Sequence, residues 1–254
     1  MKINRTALRT IEILEYISKS KDGCTLLELS TKMDIPKSSA FDIVKTLLFK
    51  KMIVEDYSSG KMRYRMGIHS FVIGSSCIDQ FDLVEVSHTY LKTLAQHCQG
   101  TTFLGIMDDN MVTYIYKYES EHSMITTANL GTRKSVHCTA LGKALLAYMK
   151  DEKKLNQILQ SIDFEPRTEY TITGLKKYLI ELEKTKIRGY AIDNREDTMY
   201  QICVAAPVFN HNKKVIAAIS CVHCYSPQFQ IDEIGQEVKK VALHISNELG
   251  YREN

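Results

Sequence analysis

Residues 25–48 constrain the fold of this chain more than any other stretch of its sequence. Two short segments with apolar residues at helical spacing are separated there by only three residues, 34–36. A join of this length leads one helix directly into another. Thr25 and Glu28 form a capping-box pattern at the start of the first segment, and Pro36 is compatible with the start of the second. The stretch therefore predicts two helices joined by a tight turn.

The second of these helices has a polar face that begins with a basic, hydroxyl-rich turn. Serine and lysine side chains can bond to base edges and phosphates when a helix enters the major groove of DNA. An ordinary helical hairpin with a solvated face has the same pattern, so this stretch alone leaves both interpretations open. The candidate DNA contacts on this helix are Lys37, Ser38, Ser39, Phe41, Lys45 and Thr46.

A predicted β-hairpin follows these helices, with strands at residues 53–56 and 61–66 around a turn at residues 57–60. In the second strand basic residues alternate with Met62, Tyr64 and Met66, so all of the basic side chains share one face. A hairpin at this position is typical of the wing of a winged helix-turn-helix, whose basic side chains contact phosphates beside the major groove of DNA. The remaining candidate DNA contacts are Arg5, Lys61, Arg63 and Arg65.

The net charge of +3 is distributed unevenly along the 254 residues. Residues 1–66 contain 13 Lys and Arg against 8 Asp and Glu, a net charge of +5, which leaves −2 for the remainder. A basic amino-terminal part favours contact with a nucleic acid, while the larger part has another role. We expect a DNA-binding domain at residues 1–66, a linker helix or hinge at residues 67–80, and a second domain at residues 81–254.

The sequence gives little support for a membrane, metal or catalytic protein. No apolar run has the length needed to cross a bilayer, which predicts a cytoplasmic protein. Seven scattered cysteines do not suggest a disulfide framework. We expect no bound metal, no cofactor and no catalytic residues, because neither metal-ligand spacing nor a nucleophile with a nearby base is recognisable. Two alternatives stay open: a metal or thiol redox sensor using Cys138, Cys203, Cys221 and His223, and a small cysteine hydrolase.

Residues 81–254 alternate between strand and helix patterns. Two hairpins are predicted, at residues 102–118 and 202–224, with further strands at residues 123–128 and 190–193. Helices are predicted at residues 81–98, 139–149, 151–160, 173–186 and 231–249. The pattern indicates an α+β domain with an antiparallel sheet and helices packed on both of its faces.

The start of the helix at residues 139–149 is the best candidate for a ligand site. Thr139 can cap this helix, which leaves the backbone amides of Ala140, Leu141 and Gly142 to face an anion. We expect a carboxylate as the ligand. A closely packed helix start without a ligand would have the same sequence. Asp193, at the end of a predicted strand, is either a hydrogen-bond acceptor for a ligand hydroxyl or an ordinary turn residue.

Several blocks of the sequence resemble the IclR family of bacterial transcriptional regulators. They lie at residues 7–14 and 35–39 in the amino-terminal part and at residues 137–147, 188–193 and 202–209 in the rest. The resemblance implies a winged helix-turn-helix followed by a GAF-like effector domain, in which helices flank a six-stranded antiparallel sheet. It also implies a homodimer or homotetramer that binds double-stranded operator DNA and responds to a small organic acid, such as a keto acid, a sugar acid or an aromatic acid.

The resemblance also assigns ligand-binding positions and marks departures from the family pattern. Asp42 stands where an arginine is common, Tyr200 where a glycine is usual, and Val222 where a second pocket serine occurs. Asp42 weakens the attraction of the recognition helix for phosphate, and the changes at Tyr200 and Val222 suggest a pocket reshaped from that of the best-known members. The implied ligand-binding residues are Ala140, Leu141, Asp193, Cys203 and Ser220, with Met124 and Leu130 on the apolar wall.

Overall fold

The computed structural model describes residues 3–58, 60–78, 82–121, 123 and 128–252. The chain divides into two compact units, Met1–Gln80 and Phe81–Asn254, and each unit has its own apolar core. None of the helices in the described part of the chain is long and apolar enough to cross a membrane.

Within its described residues, the first unit contains four helices and a two-stranded antiparallel sheet. Asn4 begins the first helix by accepting hydrogen bonds from the backbone amides of Thr6 and Ala7, each at 3.0 Å. In chain order the elements are α1 (Arg5–Lys19), α2 (Leu26–Lys32), α3 (Lys37–Phe49), β1 (Ile53–Asp56), β2 (Arg63–Met66) and α4 (Ile68–Ile78).

The predicted capping box is present at the start of α2. The Thr25 hydroxyl accepts from the Glu28 amide at 3.3 Å, and the Glu28 carboxylate accepts from the Thr25 amide at 2.7 Å. Asp34 takes a left-handed φ of 50° in the turn, which lets the chain reverse direction within three residues. The helix-turn-helix prediction is confirmed, with Pro36 as the residue immediately before α3.

The hairpin after α3 is also present, but its second strand is shorter than predicted. β2 begins at Arg63 rather than at residue 61, and Val54 lies opposite Arg65 across the pair. Tyr64 is 2% exposed and joins the core of this unit, as the alternating pattern predicts. Met66, on the same side of the strand, is 37% exposed, so the apolar face of the hairpin is covered only in part.

The segment predicted as a linker helix or hinge is a helix in the structure. α4 continues through Gly74, so this glycine does not interrupt the helix. The Ser70 hydroxyl donates to the Met52 carbonyl at 2.7 Å and ties the first turns of α4 to the hairpin.

The second unit is built on a six-stranded antiparallel sheet with the strand order β5-β4-β3-β8-β7-β6. The α+β fold with helices on both faces of this sheet is confirmed. Its elements are α5 (Asp82–Cys98), β3 (Thr101–Asp108), β4 (Met111–Glu119), β5 (Arg133–Ser135), α6 (Ala140–Ala147), α7 (Glu152–Ser161), α8 (Leu175–Arg188), β6 (Ala191–Asn194), β7 (Gln201–Phe209), β8 (Val215–Cys224) and α9 (Ile231–Glu248).

The two faces of the sheet pack against different helices. On the front face, Phe103 of β3 and Val222 of β8 pack in one core with α6 and α8. On the back face, Leu104 and Ile219 on the same two strands pack in a second core with α5 and α9. Neighbouring residues of a strand therefore belong to different cores, as the pleat of a sheet requires.

The predicted strand at residues 123–128 lies mostly outside the described residues, and its two ends, Ser123 and Ala128, are not in a strand. β4 pairs with β3 on one side and with β5 on the other, where Ser135 lies opposite Met111. β5 was not predicted from the sequence, because its residues Arg-Lys-Ser do not alternate between apolar and polar side chains.

Candidate DNA-binding surface and ligand cavity

The outer face of α3 carries most of the predicted DNA contacts. Lys37, Ser38 and Lys45 are exposed, and neither lysine forms an ion pair within the described part of the chain. Phe41 is 48% exposed in the same stretch of helix. The hydroxyl of Thr46 donates to the Asp42 carbonyl at 2.9 Å and so bonds its own helix. Arg5 is exposed on α1, and Ser39 is half-buried.

The two arginines of the hairpin make contacts within the first unit. Arg63 donates to the Gly23 carbonyl at 2.8 Å and pairs with Glu28 at 3.3 Å. Arg65 forms an ion pair with Asp56 on the opposite strand. The arginines therefore brace the hairpin, while Lys37 and Lys45 on α3 face solvent.

A cavity of about 50 Å³ lies on the front face of the sheet, beside the start of α6 and the loop between β6 and β7. Acidic, basic and apolar side chains all contribute to its wall. The lining residues are Phe103, Tyr114, Ala128, Lys134, Thr139, Ala140, Leu141, Asp193, Asp197, Thr198, Gln201, Cys203 and Val222.

The amino-terminal end of α6 forms one wall of this cavity. The Thr139 hydroxyl accepts from the Gly142 amide at 3.3 Å, so that amide is not available to an anion, in contrast to the sequence prediction. The amides of Ala140 and Leu141 have no partner among the described residues. A Cβ on Gly142 would collide with the backbone of Val136, so this glycine serves packing of the helix against the preceding segment.

Asp193 fits both of the interpretations that the sequence left open. Its Oδ1 accepts from the Glu196 amide at 2.7 Å and from the Asp197 amide at 3.4 Å, which is the role of a turn residue. The side chain also lines the cavity. Burial raises the pKa of this carboxyl to about 7, although the positive charge of Lys143 acts against the shift.

An ion pair between Lys134 and Asp197 crosses the cavity wall at 2.8 Å. The Cys138 thiol donates to the other Asp197 oxygen at 3.7 Å. Sequence reasoning missed this pair, because its members are far apart in the chain and belong to segments whose charges suggest a solvated surface. The only available signal was the position of Asp197 in the polar loop that leads into β7.

The loop that carries Asp193 and Asp197 is held from several sides. The guanidinium of Arg195 lies between two aromatic rings, 3.8 Å from the centroid of Tyr170 and 3.9 Å from that of Tyr225. The Thr171 hydroxyl donates to the Glu196 carbonyl at 2.7 Å. These contacts fix the loop before any ligand arrives, which favours precise binding.

A buried ion pair between α6 and the same loop also holds that loop in place. Lys143 of α6 is fully buried, donates to the Ile192 carbonyl at 2.7 Å and pairs with Glu196. Burial raises the pKa of the Glu196 carboxyl, and the nearby Lys143 opposes this shift. The second oxygen of Glu196 is buried without a hydrogen-bond partner among the described residues.

The other ligand-binding residues that the family resemblance implied are not all at the cavity. Cys203 lines it, and burial raises the pKa of its thiol. Ser220 is fully buried but is not part of the lining. Leu130 is 59% exposed and is not part of the lining, and Met124 falls outside the described residues.

The four residues of the alternative sensor site do not form one cluster. Cys138 and Cys203 lie at the cavity, whereas Cys221 and His223 lie on the back face, where their side chains are 3.3 Å apart. The part of the chain that the structure describes contains no group of three or more His, Cys, Asp or Glu residues arranged to hold a metal ion.

Comparison with known protein families agrees with this architecture. Residues 6–56 match the IclR helix-turn-helix domain, and residues 75–247 match the carboxy-terminal domain of the bacterial transcriptional regulator IclR. The chain belongs to the IclR family. This IclR-family member is therefore a transcriptional regulator with a DNA-binding helix-turn-helix domain and an effector-binding carboxy-terminal domain.

Individual relatives support the assignment over the whole length. This IclR-family chain is 29% identical over 253 residues to the transcriptional regulator XynR of Escherichia coli K12, covering 99% of each chain. It is 27% identical over 252 residues to KdgR of the same organism, covering 98% of this chain and 94% of KdgR. The crystal structure of IclR from Thermotoga maritima has a TM-score of 0.79 and 30% identity, covering 97% of this chain and 99% of that one.

Proposed function

We propose that this regulator binds double-stranded operator DNA as a homodimer or homotetramer, and that a small organic acid in the front-face cavity modulates this binding. We also propose that it has no catalytic activity. The observation that carries the effector proposal is the cavity itself. Its lining includes two helix amides that have no partner among the described residues, the lysine of an ion pair, and apolar side chains.

The outer face of α3 supports the DNA-binding part of the proposal. Lys37, Ser38, Phe41 and Lys45 are exposed on one short helix of a helix-turn-helix. Arg63 and Arg65 already contact Glu28 and Asp56, so α3 is the better source of the main contacts. We propose that the hairpin acts mainly by supporting α3.

Exposed apolar side chains of the first unit support a homodimer. Ile11 of α1 is 55% exposed, and Ile68 and Phe71 of α4 are 73% and 66% exposed. Exposed apolar side chains of this size are typical of a surface that another chain covers. A two-fold symmetric protein would then match a palindromic operator. We propose that α4 is the linker helix between the DNA-binding domain and the effector domain.

The size and charge of the cavity favour a compact acid. A volume of about 50 Å³ is small for a ligand site, since typical ligand pockets have about 300–1,000 Å³. This favours an acid of the size of pyruvate over an aromatic acid such as 4-hydroxybenzoate, with which an IclR homolog from Microbacterium hydrocarbonoxydans was crystallised. The acid's carboxylate would accept from the amides of Ala140 and Leu141 and share Lys134 with Asp197.

Fluorescence anisotropy with a labelled duplex of the DNA upstream of the coding sequence tests the DNA-binding proposal. For a protein that neutralises phosphates, affinity falls linearly with salt on logarithmic axes. We expect Lys45→Ala to weaken binding and to reduce that slope by about one. Lys153→Ala, an exposed lysine on α7, is the matched control and should leave the slope unchanged. Equal slopes for the two variants would argue against α3 as the contact surface.

The same complex tests the effector proposal when pyruvate, gluconate and 4-hydroxybenzoate are added in turn. We expect pyruvate to change the fraction of DNA bound at the lowest concentration of the three acids. Lys134→Gln should shift that response to at least about tenfold higher concentration, because it removes the cationic partner of a carboxylate. The variant should bind DNA normally without the acid. An unchanged response in Lys134→Gln would exclude the cavity as the binding site.

A further inference from the structure

A second group of reactive side chains lies on the back face of the sheet, away from the ligand cavity. Cys98, the last residue of α5, is half-buried, and Cys221 of β8 is fully buried. The Cys221 sulfur lies 3.3 Å from Nε2 of His223. We call Cys98, Cys221 and His223 the thiol cluster.

The chain path between α5 and β3 brings the thiol cluster together. β3 follows α5 after only two residues, and its Thr102 lies directly opposite Cys221 of β8. Gly100 lies in this short connection. A Cβ at Gly100 would be 2.6 Å from the Cys221 sulfur and 2.8 Å from Cε1 of His223, so a larger residue would push the cluster apart.

The two thiols of the cluster pack in the same apolar core on the back face of the sheet and differ in acidity. The neighbouring Cys221 side chain lowers the pKa of the Cys98 thiol. The neighbouring Cys98 side chain, together with burial, raises the pKa of the Cys221 thiol. Burial lowers the pKa of His223 to about 4, so its imidazole is neutral near pH 7. A half-buried thiol with a lowered pKa beside a buried thiol with a raised pKa is the arrangement found in redox-sensitive cysteine pairs.

We propose that Cys98 and Cys221 are a peroxide-responsive pair that closes into a reversible intramolecular disulfide. This modification site is independent of the proposed effector and DNA contacts. It also differs from the sensor site considered from the sequence, because Cys98 takes part while Cys138 and Cys203 lie at the cavity.

The oxidation takes place in two balanced steps. The Cys98 thiolate attacks one oxygen of hydrogen peroxide, so an S–O bond forms, the O–O bond breaks, and hydroxide leaves to become water with the proton that Cys98 released. The Cys221 sulfur then attacks the sulfenic sulfur of Cys98, so the S–S bond forms and the S–O bond breaks. The departing hydroxide takes the Cys221 proton and leaves as a second water. The two sulfurs together lose two electrons, which the peroxide gains.

The disulfide would join the end of α5 to β8, with a sulfur–sulfur bond of about 2.05 Å. It would close a loop of more than about 100 residues, a length for which the stabilising effect of a disulfide is large. The neighbour of Cys221 in β8 is Val222, which lines the ligand cavity on the other face. The link therefore attaches α5 to a strand of the cavity wall.

Disulfide mapping of the full-length protein tests the proposal without any variant. The reduced protein is treated with hydrogen peroxide at neutral pH, blocked with N-ethylmaleimide, digested without reductant and examined by mass spectrometry. We expect a peptide linking Cys98 to Cys221 as the main product, and its loss on treatment with dithiothreitol. The temperature midpoint of unfolding should rise when the link forms.

Three single variants sharpen the result. In Cys221→Ser, Cys98 should accumulate as a sulfenic acid that dimedone traps, because the second thiol is missing. In Cys98→Ser no link to Cys221 should form. Cys224→Ser, on the same strand, is the matched control and should keep the link. The proposal is overturned if Cys98 pairs with another cysteine, if the link joins two chains, or if Cys138 or Cys203 is oxidised first.

Discussion

The two faces of the central sheet differ in the polarity of the side chains that they bury. The front face buries charged groups, among them Lys143, Glu196 and Asp193, and encloses a polar cavity. The back face is filled mainly by aliphatic side chains of α5 and α9, such as Leu91 and Val238. Burying charges costs free energy unless they are paired, whereas burying aliphatic side chains supplies it. We infer that the back face stabilises the second unit and thereby permits a polar site on the front.

The largest expected effect comes from breaking the buried pair on the front face. Lys143→Met would leave the Glu196 carboxylate buried without its cation, which typically costs about 3–5 kcal/mol of unfolding free energy. Burial already raises the pKa of Glu196, and loss of Lys143 would raise it further. A carboxyl with a raised folded pKa destabilises the protein as pH rises above its unfolded value. The loss should therefore be smaller at pH 5 than at pH 8.

Urea unfolding of the Lys143→Met variant at both pH values measures this effect. The double variant Lys143→Met with Glu196→Leu removes both charges and should recover much of the lost stability. If the double variant is as unstable as the single one, the cost lies in packing around α6, and the contrast between the two faces fails.

A smaller effect is expected on the back face. Leu91 of α5 is fully buried among aliphatic neighbours, so Leu91→Ala should cost about 2–4 kcal/mol through lost contacts and a residual cavity. Urea unfolding should show the same loss of unfolding free energy at pH 5 and pH 8, because the substitution does not change the surroundings of any buried charge. A loss that changes with pH would contradict the assignment of charge effects to the front face alone.

The sequence predicted the parts of this structure that depend on neighbouring residues. The capping box at Thr25 and the two hairpins of the sheet both follow from local spacing or strand alternation. Strand β5 was missed because its three residues lack apolar alternation.

The contacts that build the ligand cavity and the thiol cluster could not be predicted in the same way. Lys134 and Asp197 are distant in sequence and meet only because β5 and the loop after β6 converge beside α6. The packing of Cys98 and Cys221 in one core likewise requires the pairing of β3 with β8. Residue spacing within one segment gives no information about contacts between segments that are distant in the sequence.

The smallest expected effect concerns the charge of Asp193 and would refine the contrast between the two faces. The pKa of this carboxyl is about 7, so it is mostly neutral at pH 6 and mostly charged at pH 8. An anionic ligand beside it is bound more tightly by the neutral form, because the charged form repels it. We expect the affinity for pyruvate, or for whichever of the three acids binds, to fall by about three- to tenfold between pH 6 and pH 8.

Isothermal titration calorimetry across this pH range measures the change in affinity. Asp193→Asn keeps an oxygen that can accept from the Glu196 amide but cannot ionise, so its affinity should stay constant over the range. Leu91→Ala provides the back-face control and should retain the pH dependence of the unaltered protein. A pH dependence that persists in Asp193→Asn would assign the titration to another group and would remove Asp193 from contact with the acid.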